Sequence, residues 1–127
     1  MSRTRESARK AGTEFVTAVC RYLSEALGVR IGREPLHGSR DEGDVAGLVT
    51  GTGLRIAVEC KDYAGKYGGK LPGWLDEAEC ERENAGADLG VVIVKRAGCG
   101  DAKMGHQFVV MTLETLAQMV RAGKEES

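Results

Sequence analysis

The sequence predicts an α/β fold: a mixed central sheet flanked by helices. Three observations predict it. Helical periodicity opens the chain, two short alternating strands follow around a glycine turn, and a later strand is apolar at nearly every position. That last segment, LGVVIVK at 89–95, has the pattern of a strand covered on both faces. A length of 127 residues suits one domain on one core, taken as residues 1–127 with 1–6 and 123–127 flexible.

Each element has its own signal. Over residues 7–27, Phe15, Val16, Val19, Cys20, Leu23, Ala26 and Leu27 recur three and four apart, which predicts a helix. Ser7 is its expected cap, and Gly28 stands where a left-handed terminating glycine belongs. Residues 29–36 alternate around Val29 and Ile31 and end near Pro35 as a strand. HGSRDEG at 37–43 is a polar turn, and DVAGLVT at 44–50 a strand. GTG at 51–53 is a hairpin turn whose partner strand is 54–62. The glycine-rich segment 63–73 reads as a loop, 74–85 as a helix ended by Gly86, and 106–112 as a strand. Thr112 then caps a last helix to about residue 122. The expected order is α-β-β-β-α-β-β-α.

Composition narrows the function. No apolar run approaches the ~20 residues of a membrane span. The basic N-terminus MSRTRESARK lacks an apolar stretch behind it, so no secretion signal is read and a cytoplasmic location is expected. Cys20, Cys60, Cys80 and Cys99 match no zinc-ligand spacing and are expected to be reduced thiols. Net charge is −1, but it is uneven: residues 1–40 balance at +4 and residues 41–127 at −5. One positive side on a near-neutral protein is compatible with a phosphate-bearing partner.

The chemistry gathers around RIAVECKDY at 55–63. Alternation puts Glu59 and Lys61 on one face of that strand, and Cys60 on the other, facing the core as a small apolar residue. The hairpin returns Asp44 to the same strand end. Two converging carboxylates form a site for a hard cation such as Mg²⁺. An adjacent amine can position or deprotonate a water and offset charge on a phosphoryl transition state. Each residue also has a plainer reading: Asp44 as a turn residue, Glu59 and Lys61 as a surface ion pair.

This Asp-(x)14-Glu-x-Lys pattern on a hairpin resembles the PD-(D/E)XK nuclease superfamily, whose restriction-endonuclease-like core runs αβββαβ. RKAGTEFVTAVCRYL, GSRDEGDVAGL, IAVECKDY and GWLDEAECERENAGADLGVVIVKR are similar to Holliday junction resolvases of the archaeal type and to relatives in phages of actinobacteria. The resemblance covers roughly residues 8–120; Gly43 stands where the superfamily has a proline. It implies a homodimeric, Mg²⁺-dependent endonuclease acting on four-way DNA junctions, with Mn²⁺ able to substitute, in the bacterial host cytoplasm if phage-encoded. It implies Asp44, Glu59, Lys61 and Glu14 as catalytic residues. Asp44, Glu59, Glu14 and the Cys60 carbonyl would then hold the metal.

Expected DNA contacts are Ser39, Arg40, Arg9, Lys10 and the interleaved Lys66, Tyr67 and Lys70. Trp74 is expected in the core or a dimer interface. Asp76, Glu77, Glu79, Glu81 and Glu83 are expected to form a solvated helix face, and His37 and His106 to be structural. The alternatives are a nuclease of the same core acting on flaps, ends or duplex, and a non-catalytic DNA-binding module.

Overall fold

The computed structural model describes residues 3–35 and 41–125. Its elements are α1 (Arg5–Leu27), β1 (Gly32–Arg33), β2 (Val45–Ala46), β3 (Ile56–Lys61), α2 (Leu71–Ala85), β4 (Leu89–Val94), β5 (Phe108–Val110) and α3 (Leu113–Glu125). Short 3₁₀ turns precede α2 and β5. The order is the expected one. Among the described residues the sheet runs β1-β2-β3-β4-β5, with β3 and β4 parallel and the other neighbours antiparallel. It is therefore a mixed five-stranded sheet flanked by helices.

Alternation along β3 and β4 divides the molecule into two sides. Val58, Val91 and Ile93 pack with Phe15, Val16, Val19 and Cys20 of α1, and Ile56 and Cys60 join them. Val92 and Val94 pack with Trp74 and Ala78 of α2. In the parallel register Glu59 pairs with Val92 and Lys61 with Val94. Glu59 and Lys61 therefore face α2, and Cys60 faces the α1 core as expected. All four cysteines are free thiols.

Several boundaries move for identifiable reasons. α1 begins at Arg5 because Thr4, not Ser7, accepts the capping bond: its Oγ1 takes the Ser7 amide at 3.0 Å. The guanidinium of Arg3, just before the helix cap, reaches Asp62 at the end of β3 at 3.0 Å. α2 starts at Leu71, three residues early, since Pro72 in the first turn starts a helix rather than breaking one. β1, β2 and β5 are much shorter than the runs that announced them.

The shortening of β2 has a local cause. The turn forms as expected, with Val49 opposite Arg55 and the Gly53 amide on the Thr50 carbonyl at 3.0 Å. Further along, Val45 lies opposite Val58. Three residues, 46–48, thus oppose two, 56–57: a β-bulge. Gly47 takes φ +96 within it, and a Cβ there would lie 3.0 Å from the Arg30 carbonyl. Among the described residues no helix is long and apolar enough to cross a membrane.

Candidate metal centre

Asp44, Glu59 and Lys61 come together at the carboxyl end of β3, on the side covered by α2. The Val45↔Val58 register puts Asp44 opposite Glu59. One Asp44 oxygen, Oδ2, accepts the Cys60 amide at 2.8 Å, and its own amide donates to the Val58 carbonyl at 2.7 Å. Gly43 makes this approach possible. It sits at φ +100, and a Cβ there would stand 2.9 Å from the Val58 carbonyl. Proline, fixed near φ ≈ −65°, cannot adopt that backbone.

Lys61 is held on two sides. Its Nζ lies 2.9 Å from Glu77 Oε1 and 3.3 Å from Glu59 Oε2, and 5.8 Å from the Trp74 ring. Burial pulls the amine's pKa down. The Glu77 hydrogen bond and charge, with Glu59 beside them, outweigh burial and raise it. Lys61 is therefore a fixed cation, suited to neutralising phosphate charge rather than to taking a proton.

The acids are more numerous than the sequence reading expected. Ligand oxygens of Asp41, Glu59, Glu77 and Glu81 lie within 4.8 Å of one another. Glu59 is 5% exposed and Glu81 1%. Neither oxygen of Glu81 meets a hydrogen-bond donor. Asp41 and Glu59 are carboxyls close enough to share a proton with it. Burial, then hydrogen bonds shared with Asp44 and Glu77, push the Glu59 carboxyl up to about 12. Burial likewise lifts Glu81 to about 8. The hydrogen bond from protonated Glu59 holds Glu77 below the usual carboxylate range. A set of hard oxygens with two orphaned, buried atoms fits a divalent cation.

This corrects the solvated-face reading of α2. Asp76, Glu79 and Glu83 are exposed, but Glu81 is buried and Glu77 half-buried. The signal was present: Trp74, Ala78 and Glu81 are four and three apart, so Glu81 shares the buried stripe. Asp41 enters through its own turn, its Oδ1 accepting the Gly43 amide at 3.0 Å. The Asn84 side-chain amide pins that turn to α2 by donating to the Asp41 carbonyl at 2.8 Å.

Glu14 is not brought to this cluster. α1 covers the opposite side of the sheet, where Glu14 is largely exposed and 4.0 Å from Lys10. It lines a cleft there with Arg3, Asp62 and Lys95. The Cys60 amide points toward β2, so by ladder geometry its carbonyl does too, on the Asp44 side.

Arg9, Lys10, Lys66 and Lys70 are exposed, with Lys70 Nζ 5.1 Å over the Tyr63 ring. Tyr67 is half-buried, its ring 5.7 Å from that of Trp74, so it is a packing residue rather than a free stacking platform. Trp74 itself is core. Ser39, Arg40 and His37 lie outside the described residues, and His106 is exposed. A cleft of about 500 Å³ between α2 and α3 has none of Asp44, Glu59 and Lys61 in its lining.

Comparison with protein-family models, curated proteins and solved structures finds no match to this chain.

Proposed function

We propose that this chain is a metal-dependent phosphodiester hydrolase, a nuclease built on a restriction-endonuclease-like core. The carrying observation is the convergence of Asp44 and Glu59, from paired strands, with Lys61 two residues on and a buried, donorless Glu81 behind them. The particular reading is a Holliday junction resolvase, which rests on the resemblance of residues 8–120 described above.

Asp44, Glu59 and Glu81, with Asp41, Glu77 and the Cys60 carbonyl in reach, would hold Mg²⁺ or Mn²⁺. Bound there, the cation supplies Lewis acidity to the scissile phosphate and acidifies the attacking water. The chain's own residues do the rest. Lys61, kept protonated by Glu77 and Glu59, offsets charge as the phosphorane-like transition state forms. Glu77 fixes the Lys61 amine, and Trp74 shields it from water. Arg9 and Lys10 of α1, and Lys66 and Lys70 after β3, supply exposed positive charge for DNA phosphates. Arg3, pinned to Asp62, brings the start of α1 to this end of the sheet.

The test is cleavage of a mobile four-way junction, a flap and linear duplex, with and without Mg²⁺. Asp44→Asn should lower cleavage by at least about a hundredfold while junction binding stays close to wild type. Mg²⁺-dependent nicking by Asp44→Asn at the wild-type rate would refute the assignment. Equal cleavage of all three substrates would keep the nuclease and remove the junction preference.

A further inference from the structure

The last helix is turned inside out. Leu113, Leu116, Ala117 and Val120 of α3 fall at the i, i+3, i+4, i+7 spacing of an apolar stripe. A monomer would bury that stripe. Here Leu113 is 81% exposed, Val120 66% and Leu116 45%. Ala117 is exposed as well, while only Thr115 and Met119 among residues 113–121 are half-buried. The side of α3 toward α2 is polar: Thr112, Thr115, Gln118 and the exposed Glu114 line the intervening cleft.

We propose that α3 is the contact by which two copies of this chain associate, laid antiparallel about a twofold axis near Ala117 and Gln118. The charges select both the partner and the direction. Glu114 and Arg121 are seven residues apart, so they lie two turns apart on one flank of the stripe. An antiparallel twofold pairing brings equivalent flanks together. Glu114 then faces the partner's Arg121, and the pair occurs twice. Parallel pairing would set this flank against the opposite one and leave Glu114 and Arg121 without each other. The small Ala117 at the crossing lets the two backbones approach closely. The surface is thus its own complement, which is what an isologous contact requires. The contact stands on α3 alone and does not depend on phosphodiester hydrolysis. Its loss would remove the second active site needed for paired nicks, leaving each metal centre intact.

Sedimentation equilibrium of the full chain tests it. The wild type should dimerise reversibly with concentration. Leu116→Glu/Val120→Glu should be monomeric, with the far-ultraviolet circular dichroism of the wild type. Glu114→Arg and Arg121→Glu should each weaken association about tenfold, since each puts like charges together twice. An equimolar mixture of those two single variants should recover wild-type affinity, because each supplies what the other lacks. The charge variants change only exposed side chains, so they report even if the double glutamate variant misfolds. A wild type that stays monomeric at the highest soluble concentration would overturn the proposal, leaving the stripe for an unlike partner. So would a dimer that survives Leu116→Glu/Val120→Glu, or a mixture no tighter than its components.

Discussion

Glu81 carries an ionisable group at 1% exposure with no donor on either oxygen. Leaving it charged and bare costs several kcal/mol, so without a cation it binds a proton. Glu81→Gln, which keeps the shape and removes the titration, should raise the melting temperature of the chelator-treated protein at pH 8. It should also weaken Mn²⁺ binding about tenfold or more by calorimetry. The pH dependence follows the same sign. Glu59 and Glu81 have folded-state pKa values of about 12 and about 8, both above the ordinary value of 4.5. Their contribution is complete below the ordinary value and is lost as pH rises. The unfolded chain binds fewer protons through that window. Metal-free protein should therefore melt at progressively lower temperature from pH 5 to 8, and saturating Mn²⁺ at pH 8 should reverse the loss. A flat melting profile in chelator would show that the two acids are not protonated in the fold.

At the scale of elements, the sequence was most legible where one local signal decides the outcome. GTG makes the turn, Gly28 and Gly86 end their helices, and LGVVIV lies between α1 and α2, buried at every position but the half-buried Gly90. It was least legible where tertiary contacts decide. Leu71 and Pro72 read as loop although α2 starts at Leu71, and five acids on α2 read as one solvated face although Glu81 is buried. The Trp74–Ala78–Glu81 spacing separates them, but only once Glu81 is allowed to be core. Gly43 is the backbone counterpart of these acids. Gly43→Ala meets both φ +100 and a 2.9 Å approach to the Val58 carbonyl. It should destabilise by about 1–3 kcal/mol in chemical denaturation and lower cleavage by displacing Asp44.

For the whole molecule, the decisive fact is which helix covers which side of the sheet, and no window of sequence reports that. Asp44, Glu59 and Lys61 could be assembled from alternation and a hairpin. The partner helix could not, and resemblance pointed to α1 where the geometry gives α2. Glu14→Ala should therefore leave single-turnover cleavage within about threefold of wild type, whereas Glu81→Gln should not. A large loss in Glu14→Ala would mean that α1 moves to the centre when DNA or metal binds. The charge imbalance between the halves of the chain also resolves spatially. Acids concentrate at the centre, while Arg9, Lys10, Lys66 and Lys70 are exposed on segments flanking the carboxyl end of β3.

The extra residue at 46–48 sets the parity of the hairpin. If the ladder ran unbroken from Val49 opposite Arg55, Asp44 would fall opposite Cys60 and turn toward Val16 and Val19 of the α1 core. One added residue inverts that phase and delivers the carboxylate to Glu59. The hairpin thus behaves as a counter with two readings, and at this length the bulge selects between a buried error and a ligand. Deleting Gly47 removes the extra residue together with the bulge, so a regular ladder would still set Asp44 opposite Glu59, and Mn²⁺ binding by calorimetry should survive the deletion.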